Sequence, residues 1–314
     1  MRGMTGRVHL VTGAGRGIGK AIAARLLDAG ESVALLDLGC RVDGSGSDTD
    51  VAEAAVRELA GDGMAIAADV RDADAIAAAI AAVVDRWGRL DGVLNVAAVL
   101  RTGNILTGTD DDWATTLDVN LRGSMIVSRA AIRHWVSAGS PGRIVNVTST
   151  AGLEGNPEMF AYSVSKAGVI GLTLATSHAV ACRGVLVNAI APLAATRMAL
   201  RGLGNEALEA RARTGEWPDV AARGLTPEKV APLAAYLVSA RLTVTGRVFT
   251  VGGGSAGRLP IPEPEVSVHV DELARPDDVK ALLDATLGAP VEPSRWQAPT
   301  LPLERPDFPV AELD

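Results

Sequence analysis

A tyrosine and a lysine four positions apart, in Tyr162-Ser163-Val164-Ser165-Lys166, carry the strongest chemical signal in the chain. The segment opens a long apolar run, Ala167 to Val180, that contains no proline and reads as a helix. On a helix, positions four apart lie one above the other on one face, so the phenol and the ammonium point the same way. A phenol titrates near pH 10 and is a poor base at neutrality. A cation about 4 Å away favours the phenolate by about 4 kcal/mol at an effective dielectric of about 20. That brings a tyrosine into the range where general acid–base catalysis operates. The competing reading is a partly buried helical tyrosine with a lysine on its rim, and a short motif standing alone favours it.

The elements that must position this pair begin at Val8-His9-Leu10-Val11, which suits a strand buried on both faces. The strand runs into Thr12-Gly13-Ala14-Gly15-Arg16-Gly17-Ile18-Gly19, and a helix from Lys20 to Ala29 follows, ended by Gly30. This is the context of a dinucleotide site. Gly13 permits the tight turn, Gly17 lets a pyrophosphate approach, and Gly19 lets helix and strand pack closely. A glycine turn of purely steric origin is the alternative. A second strand, Ser32 to Leu36, ends at Asp37. A carboxylate about 20 residues past the glycines accepts hydrogen bonds from an adenosine ribose and repels a 2′-phosphate. That favours NAD over NADP. Arg16, inside the glycine loop, argues the other way, because its guanidinium could meet a phosphate.

Helices and strands then alternate: helix Asp50 to Ala60, strand Met64 to Ala68, helix Ala73 to Trp87, strand Val93 to Val96, helix Asp110 to Val136, strand Arg143 to Val147, the tyrosine helix, and strand Val185 to Ile190. Such alternation predicts an α/β fold, a three-layer doubly wound parallel sheet of about seven strands. Right-handed crossovers put the ligand crevice at the carboxyl ends of the strands. Asp37, Asp69, Asn95, Ser149 and Pro192 all fall at or just beyond such ends. Leu38 to Thr49 is a longer loop than this connection requires. Leu193 to Pro218 breaks the pattern and reads as a mobile lid or an ordinary surface loop. A helix, Thr226 to Ser239, and a last strand, Gly246 to Val251, complete a catalytic domain over residues 1–257. The rest, 258–314, is a proline-rich, irregular extension with one short helix predicted at Pro276 to Leu287; it packs on its own or a partner subunit, since it cannot form its own core.

Composition narrows the function. A net charge of −7 over 314 residues argues against nucleic acid as the partner. Cys40 and Cys182 are isolated and lack metal-ligand or redox spacing, so no metal site is expected and a reducing compartment fits. The most apolar stretch, Ala75 to Val84, is too short to span a membrane. Neither a signal peptide nor a peroxisomal address is legible, so a cytoplasmic location is expected.

Taken together, TGAGRGIG, Asn120, Ser149 and Tyr162-x-x-x-Lys166 resemble the short-chain dehydrogenases/reductases, over about residues 5 to 257. A narrower likeness joins Asp37-Leu38-Gly39, Ala191-Pro192-Leu193-Ala194-Ala195-Thr196-Arg197-Met198 and Lys229-Val230-Ala231-Pro232-Leu233 to the 3-hydroxyacyl-CoA dehydrogenase part of the peroxisomal multifunctional enzymes of type 2. The sequence departs from the family at Ala98 and Leu193, where glycines are usual; both changes narrow the space beside the cofactor. The resemblance implies a catalytic set of Asn120, Ser149, Tyr162 and Lys166. Tyr162 exchanges the substrate's hydroxyl proton, Lys166 lowers the phenol pKa and holds the nicotinamide ribose, Ser149 donates to the carbonyl oxygen, and Asn120 holds a water leading to Lys166. It further implies cofactor contacts from Gly13, Arg16, Gly17, Ile18, Gly19, Asp37, Asp69, Val70, Asn95, Tyr162, Lys166, Pro192 and Thr196. The expected activity is NAD(H)-dependent interconversion of a secondary alcohol and a ketone, on an apolar, acyl-thioester or steroid-like small molecule. Alternatives are a sugar or natural-product ketone as substrate, or a non-catalytic NAD(H) sensor. A homodimer or homotetramer is expected, with the helices of Asn120 and Tyr162 pairing across an interface.

Overall fold

The computed structural model describes residues 6–202 and 224–259. Its sheet has eight strands: β1 (Val8–Thr12), β2 (Ser32–Leu36), β3 (Gly63–Ile66), β4 (Gly92–Asn95), β5 (Gly142–Val147), β6 (Val185–Leu193), β7 (Val248–Gly252) and β8 (Ser255–Leu259). Their order is β3-β2-β1-β4-β5-β6-β7-β8, parallel except for the antiparallel β7–β8 pair. The helices are α1 (Gly17–Asp28), α2 (Asp50–Glu58), α3 (Ala73–Trp87), α4 (Asp110–Leu117), α5 (Ser124–Ala138), α6 (Ala151–Glu154), α7 (Phe160–Val180), α8 (Arg197–Gly202) and α9 (Ala231–Val238). The doubly wound parallel sheet expected from the alternation is present, with one strand more than predicted.

The central strands β1, β2 and β4 are buried at every position because successive side chains feed two cores. Leu10, Val93, Ile144 and Val187 enter one, under α3 and α5 with Ile76, Ile80, Val127 and Trp135. Val11, Leu94 and Val145, each next along its strand, enter the other with Ile190 of β6, under α1 and α9 with Ile22, Leu26, Ala234 and Leu237. Period-2 alternation thus fills both faces of a three-layer stack. Among the described residues Trp135 is the largest fully buried side chain; its indole N–H donates to the Leu90 carbonyl at 2.7 Å. Gly142 is obligatory beneath it, since a Cβ there would sit 2.2 Å from the ring.

Caps follow the sequence. The Asp72 carboxylate accepts from Asp74 and Ala75 at the start of α3, and Thr109 and Asp112 form a reciprocal capping box on α4. The single helix expected over Asp110 to Val136 is instead two α-helices joined by a π-helical turn, Asp118–Gly123, which carries Asn120. Such wide turns concentrate at functional sites. The expected helix Thr226 to Ser239 is a 3-10 turn, Pro227–Lys229, followed by α9. Neither α6 nor β8 was foreseen. Of the Leu193 to Pro218 stretch, α8 is described and residues 203–218, including Trp217, lie outside the described residues, as do the Pro276 to Leu287 helix and the extension beyond Leu259.

Candidate active site

The registers align the carboxyl ends of five strands. Thr12 lies opposite both Leu36 and Asn95, Asn95 opposite Asn146, and Val147 opposite Ile190. Along that edge lie the glycine loop, Asp37, Asp69, Ser149 and Pro192.

Thr12 builds the floor. Its hydroxyl oxygen accepts from the Val96 and Ala97 amides at 3.0 and 3.1 Å, which draws the β4 loop over the glycine loop. Gly13 has φ +64, and a Cβ there would meet the Ala97 backbone at 2.8 Å, so the turn admits only glycine. A Cβ on Gly19 would lie 2.1 Å from the Gly13 carbonyl oxygen, the close packing the motif requires. Gly17 opens toward Thr196, whose Cγ2 would be 3.4 Å from an added Cβ. The glycine loop and the loop after β6 therefore face each other. Ile18 packs on the α1 side of the core. Arg16 precedes α1 in extended conformation.

Asp37 sits at the end of β2 with both carboxylate oxygens engaged, one by the Gly15 amide at 2.8 Å and one by the Gly39 amide at 2.7 Å. Each oxygen keeps a free lone pair for a ribose hydroxyl. Asp69 grips Arg71 at both oxygens, at 2.6–3.0 Å, and accepts the Arg71 amide. Burial pushes the Asp69 carboxyl up, but the Arg71 hydrogen bonds outweigh it and leave it below its ordinary value. Val70 is buried against Gly123 of the π-helical turn. A glycine cradle at the N-terminus of α1, with a carboxylate at the end of β2, fits the diphosphate and ribose of a dinucleotide.

The side chain of Asn95, expected at the cofactor, points elsewhere. It is buried, and its Nδ2 donates to Asn146 Oδ1 at 2.8 Å and Ser128 Oγ at 2.9 Å; Asn146 in turn donates to Thr173 on α7 at 2.9 Å. This polar chain ties β4 and β5 to α7. Pro192 lies in β6 opposite Val251, half-buried, with Leu193 beside it exposed.

Ser149 follows β5; its hydroxyl oxygen accepts from the Ala151 amide at 3.2 Å, and the hydroxyl lies close enough to the Tyr162 phenol to pull its pKa down. Lys166, one turn along α7, is 2% exposed; its Nζ stands 5.5 Å from the Tyr162 ring centre and donates to the Val147 carbonyl at 2.8 Å. The Thr148 hydroxyl donates to the Lys166 carbonyl at 2.7 Å, so the end of β5 is fastened to α7 at two points. The phenol shifts upward, opposite to the direction that the Tyr162–Lys166 spacing predicts. Burial pushes the phenol up to about 12 against the downward pull of Ser149. Burial likewise pulls the Lys166 ammonium down to about 8. Taking a charge out of water outweighs the attraction that spacing alone suggested.

Asn120 is fully buried. Its Oδ1 accepts from the Val99 amide at 2.8 Å, and its Nδ2 donates to the Val99 carbonyl at 3.0 Å and to Ser165 Oγ at 3.1 Å. Ser165 donates onward to the Tyr162 carbonyl at 2.7 Å. The side chain thus braces the tyrosine turn against the β4 loop. Sequence reasoning passed over Thr12, Thr148 and Ser165; the signal was a hydroxyl residue beside each motif residue, in TG, TS and YSVSK.

Among the described residues no group of three or more His, Cys, Asp or Glu is placed to hold a metal ion, and no helix is long and apolar enough to cross a membrane.

Residues 7–203 match the short chain dehydrogenase family. Over 260 residues the chain is 37% identical to 3-oxoacyl-(acyl-carrier-protein) reductase of Synechocystis sp., covering 81% of this chain and 98% of that protein. It is 34% identical over 254 residues to peroxisomal multifunctional enzyme type 2 of Mus musculus, covering 81% of this chain and 32% of that one, so the narrower likeness also holds. The crystal structure of a short chain dehydrogenase from Mycobacterium avium superimposes with a TM-score of 0.74 at 30% identity, covering 91% of this chain and 95% of that chain. Glycine cradle, eight-stranded sheet and the Tyr162–Lys166 pair on α7 agree with these matches: the chain belongs to the short-chain dehydrogenase family, oxidoreductases of alcohols and ketones that use NAD(P) nucleotides.

Proposed function

We propose that this protein is an NAD(H)-dependent oxidoreductase interconverting a secondary alcohol and a ketone on an apolar, acyl-thioester or steroid-like substrate. The observation that carries the reading is the meeting, at the carboxyl edge, of Ser149 after β5 with Tyr162 on α7, one turn from the buried Lys166, whose Nζ stands 5.5 Å from the phenol ring centre. A bound dinucleotide supplies the hydride. Gly13, Gly17 and Gly19 shape the diphosphate cradle, and Asp37 accepts the adenosine ribose hydroxyls. Ser149 donates to the substrate oxygen, where negative charge develops in the transition state. Tyr162 delivers the proton to that oxygen during reduction and removes it during oxidation. Lys166 keeps a positive charge beneath the phenol. Asn120 and Ser165 hold the tyrosine turn at its distance from the β4 loop. An apolar substrate is supported by Leu193 and Leu153, which are 60% and 48% exposed at this edge. A 3-oxoacyl thioester is supported by the relative whose name specifies that substrate. Exposed Val136 on α5 and Val164 on α7 support a dimer formed through those helices.

The pH dependence follows from the two shifted groups. With a phenol near 12 and an ammonium near 8, the free enzyme below about pH 8 holds both protons. Reduction uses that form, so its kcat/KM stays level up to about pH 8 and falls above it as Lys166 loses its charge. Oxidation needs the phenolate, so its kcat/KM rises about tenfold per pH unit up to about pH 8. Steady-state profiles in both directions check this; parallel profiles would remove the tyrosine from proton transfer.

The deciding experiment is a screen of 3-oxoacyl thioesters, ketosteroids and polar ketones with NADH and NADPH. Turnover of the first two groups with NADH is expected. Turnover confined to polar ketones would overturn the substrate class. Asp37→Ser tests the cofactor reading: the ratio of kcat/KM with NADH to that with NADPH should fall at least about tenfold, because Arg16 and Arg197 remain beside the site to receive a 2′-phosphate.

A further inference from the structure

The long connection between β2 and α2 is a closed excursion rather than a slack loop. Its ends are pinned, the Asp48 amide donating to the Leu38 carbonyl at 3.0 Å. Gly39, at φ +75, packs so tightly on Asp48 that a Cβ would lie 2.0 Å from its carbonyl oxygen. The tip folds on itself: Arg41 and Gly44 amides donate to the Ser45 and Arg41 carbonyls at 2.9 and 3.0 Å, and the Asp43 carboxylate accepts from the Ser45 amide and hydroxyl.

That tip docks on the far side of the crevice. The Leu100 amide donates to the Val42 carbonyl at 2.7 Å, and Arg101 Nε donates to the Asp43 carbonyl at 2.9 Å. A Cβ on Gly44 would be 3.2 Å from Val99 Cγ1. Leu100 and Arg101 follow β4, whereas the excursion leaves from β2, and β1 lies between those strands. The connection therefore passes across the end of β1, where the glycine loop begins. Arg101 also pairs with Asp111 and Asp112 of α4, fixing the landing point. At the base, the half-buried Cys40 follows Gly39, whose amide donates to the Asp37 carboxylate at 2.7 Å, so the excursion starts at the carboxylate that ends β2.

We infer that residues 38–49 form a clasp over the adenosine half of the nucleotide crevice, latched by Arg101, and that opening this clasp sets how fast the dinucleotide leaves. The inference rests on the reading that the glycine loop holds a dinucleotide. A short loop would suffice to join β2 to α2, as the 3.0 Å contact between Leu38 and Asp48 shows. The additional residues lengthen the chain only to reach Val99–Arg101. Latching by two backbone-directed hydrogen bonds and a half-buried ion pair gives a closed state that opens reversibly.

The test is the release of NADH from the loaded protein, followed by loss of bound nicotinamide fluorescence on mixing with excess NAD. Two variants are compared with the parent: Arg101→Met, which removes the latch, and replacement of residues 40–47 by Gly-Gly, which removes the clasp but keeps the pinned ends. Release should accelerate at least about tenfold in both. Amide hydrogen exchange at Leu100 should slow when NADH binds the parent, and this slowing should vanish in Arg101→Met. A loop-replaced variant that binds NADH and releases it at the parent rate overturns the clasp and leaves the cofactor reading intact. Failure of the parent to bind NADH or NADPH removes both. If both variants misfold, unchanged Leu100 exchange on NADH binding to the parent overturns the clasp.

Discussion

Tyr162→Phe lowers turnover about a thousandfold, the middle of the range for a lost proton-transfer group, while NADH affinity stays within about threefold of the parent. The substitution deletes one oxygen. In the mechanism proposed above that oxygen carries the proton given to the substrate, and Ser149, left alone, would polarise the carbonyl without a comparable acid to offer. The ring itself stays packed on α7, and the Ser165 bond to the Tyr162 carbonyl is a main-chain contact that phenylalanine preserves. Single-turnover rates and NADH titration separate the two effects. A variant that retained a tenth or more of parental turnover would assign proton delivery to another group. Equal losses in NADH affinity and turnover would make Tyr162 a binding residue only.

Lys166→Met trades activity for stability. The ammonium is nearly fully buried, and burial pulls it from 10.5 to about 8. Between those values the unfolded chain binds the proton and the folded chain does not, so stability rises with pH across that window. The burial penalty is therefore fully present below about pH 8 and gone above about 10.5. Methionine fills similar volume without the charge. Losing the bond to the Val147 carbonyl offsets part of the gain, leaving about 1–3 kcal/mol of added stability at pH 7 that disappears near pH 10.5. Turnover falls about a hundredfold, because the phenol loses its cation. Urea unfolding at pH 7 and pH 10, beside steady-state rates, checks both. A less stable variant at pH 7 would mean the Val147 bond outweighs desolvation.

Much of the frame was legible because local rules and tertiary demands agree. Runs such as Ser32 to Leu36 are apolar at every position only if both faces are covered, and that alone implies helices above and below. Gly13, Gly19 and Asp37 were legible because backbone geometry admits few substitutes there. The i, i+4 rule placed Tyr162 and Lys166 on one face, and the structure does so. It could not say where the flexible lysine would end, and Nζ turns to the Val147 carbonyl, a contact 19 residues away in sequence. Nor does spacing report desolvation, which reversed the expected direction of the tyrosine shift. The resemblance implies a cofactor contact at Asn95; what the sequence could not show is that its side-chain amide donates inward, to Asn146 and Ser128. The destination of the 38–49 loop depended on contacts with Leu100 and Arg101, more than fifty positions on, to which local pattern is blind.

The wide turn at Asp118–Gly123 holds one residue more than a regular helix would take. Removing that residue would straighten α4 and α5 into a stiffer rod and rotate everything beyond it by about 100°. Asn120 would then swing off Val99 and Ser165, and the tyrosine turn would lose its brace. A chain engineered for thermal endurance by regularising this segment would gain a better helix and lose its aim, so the irregularity is a setting that fixes the azimuth of one amide.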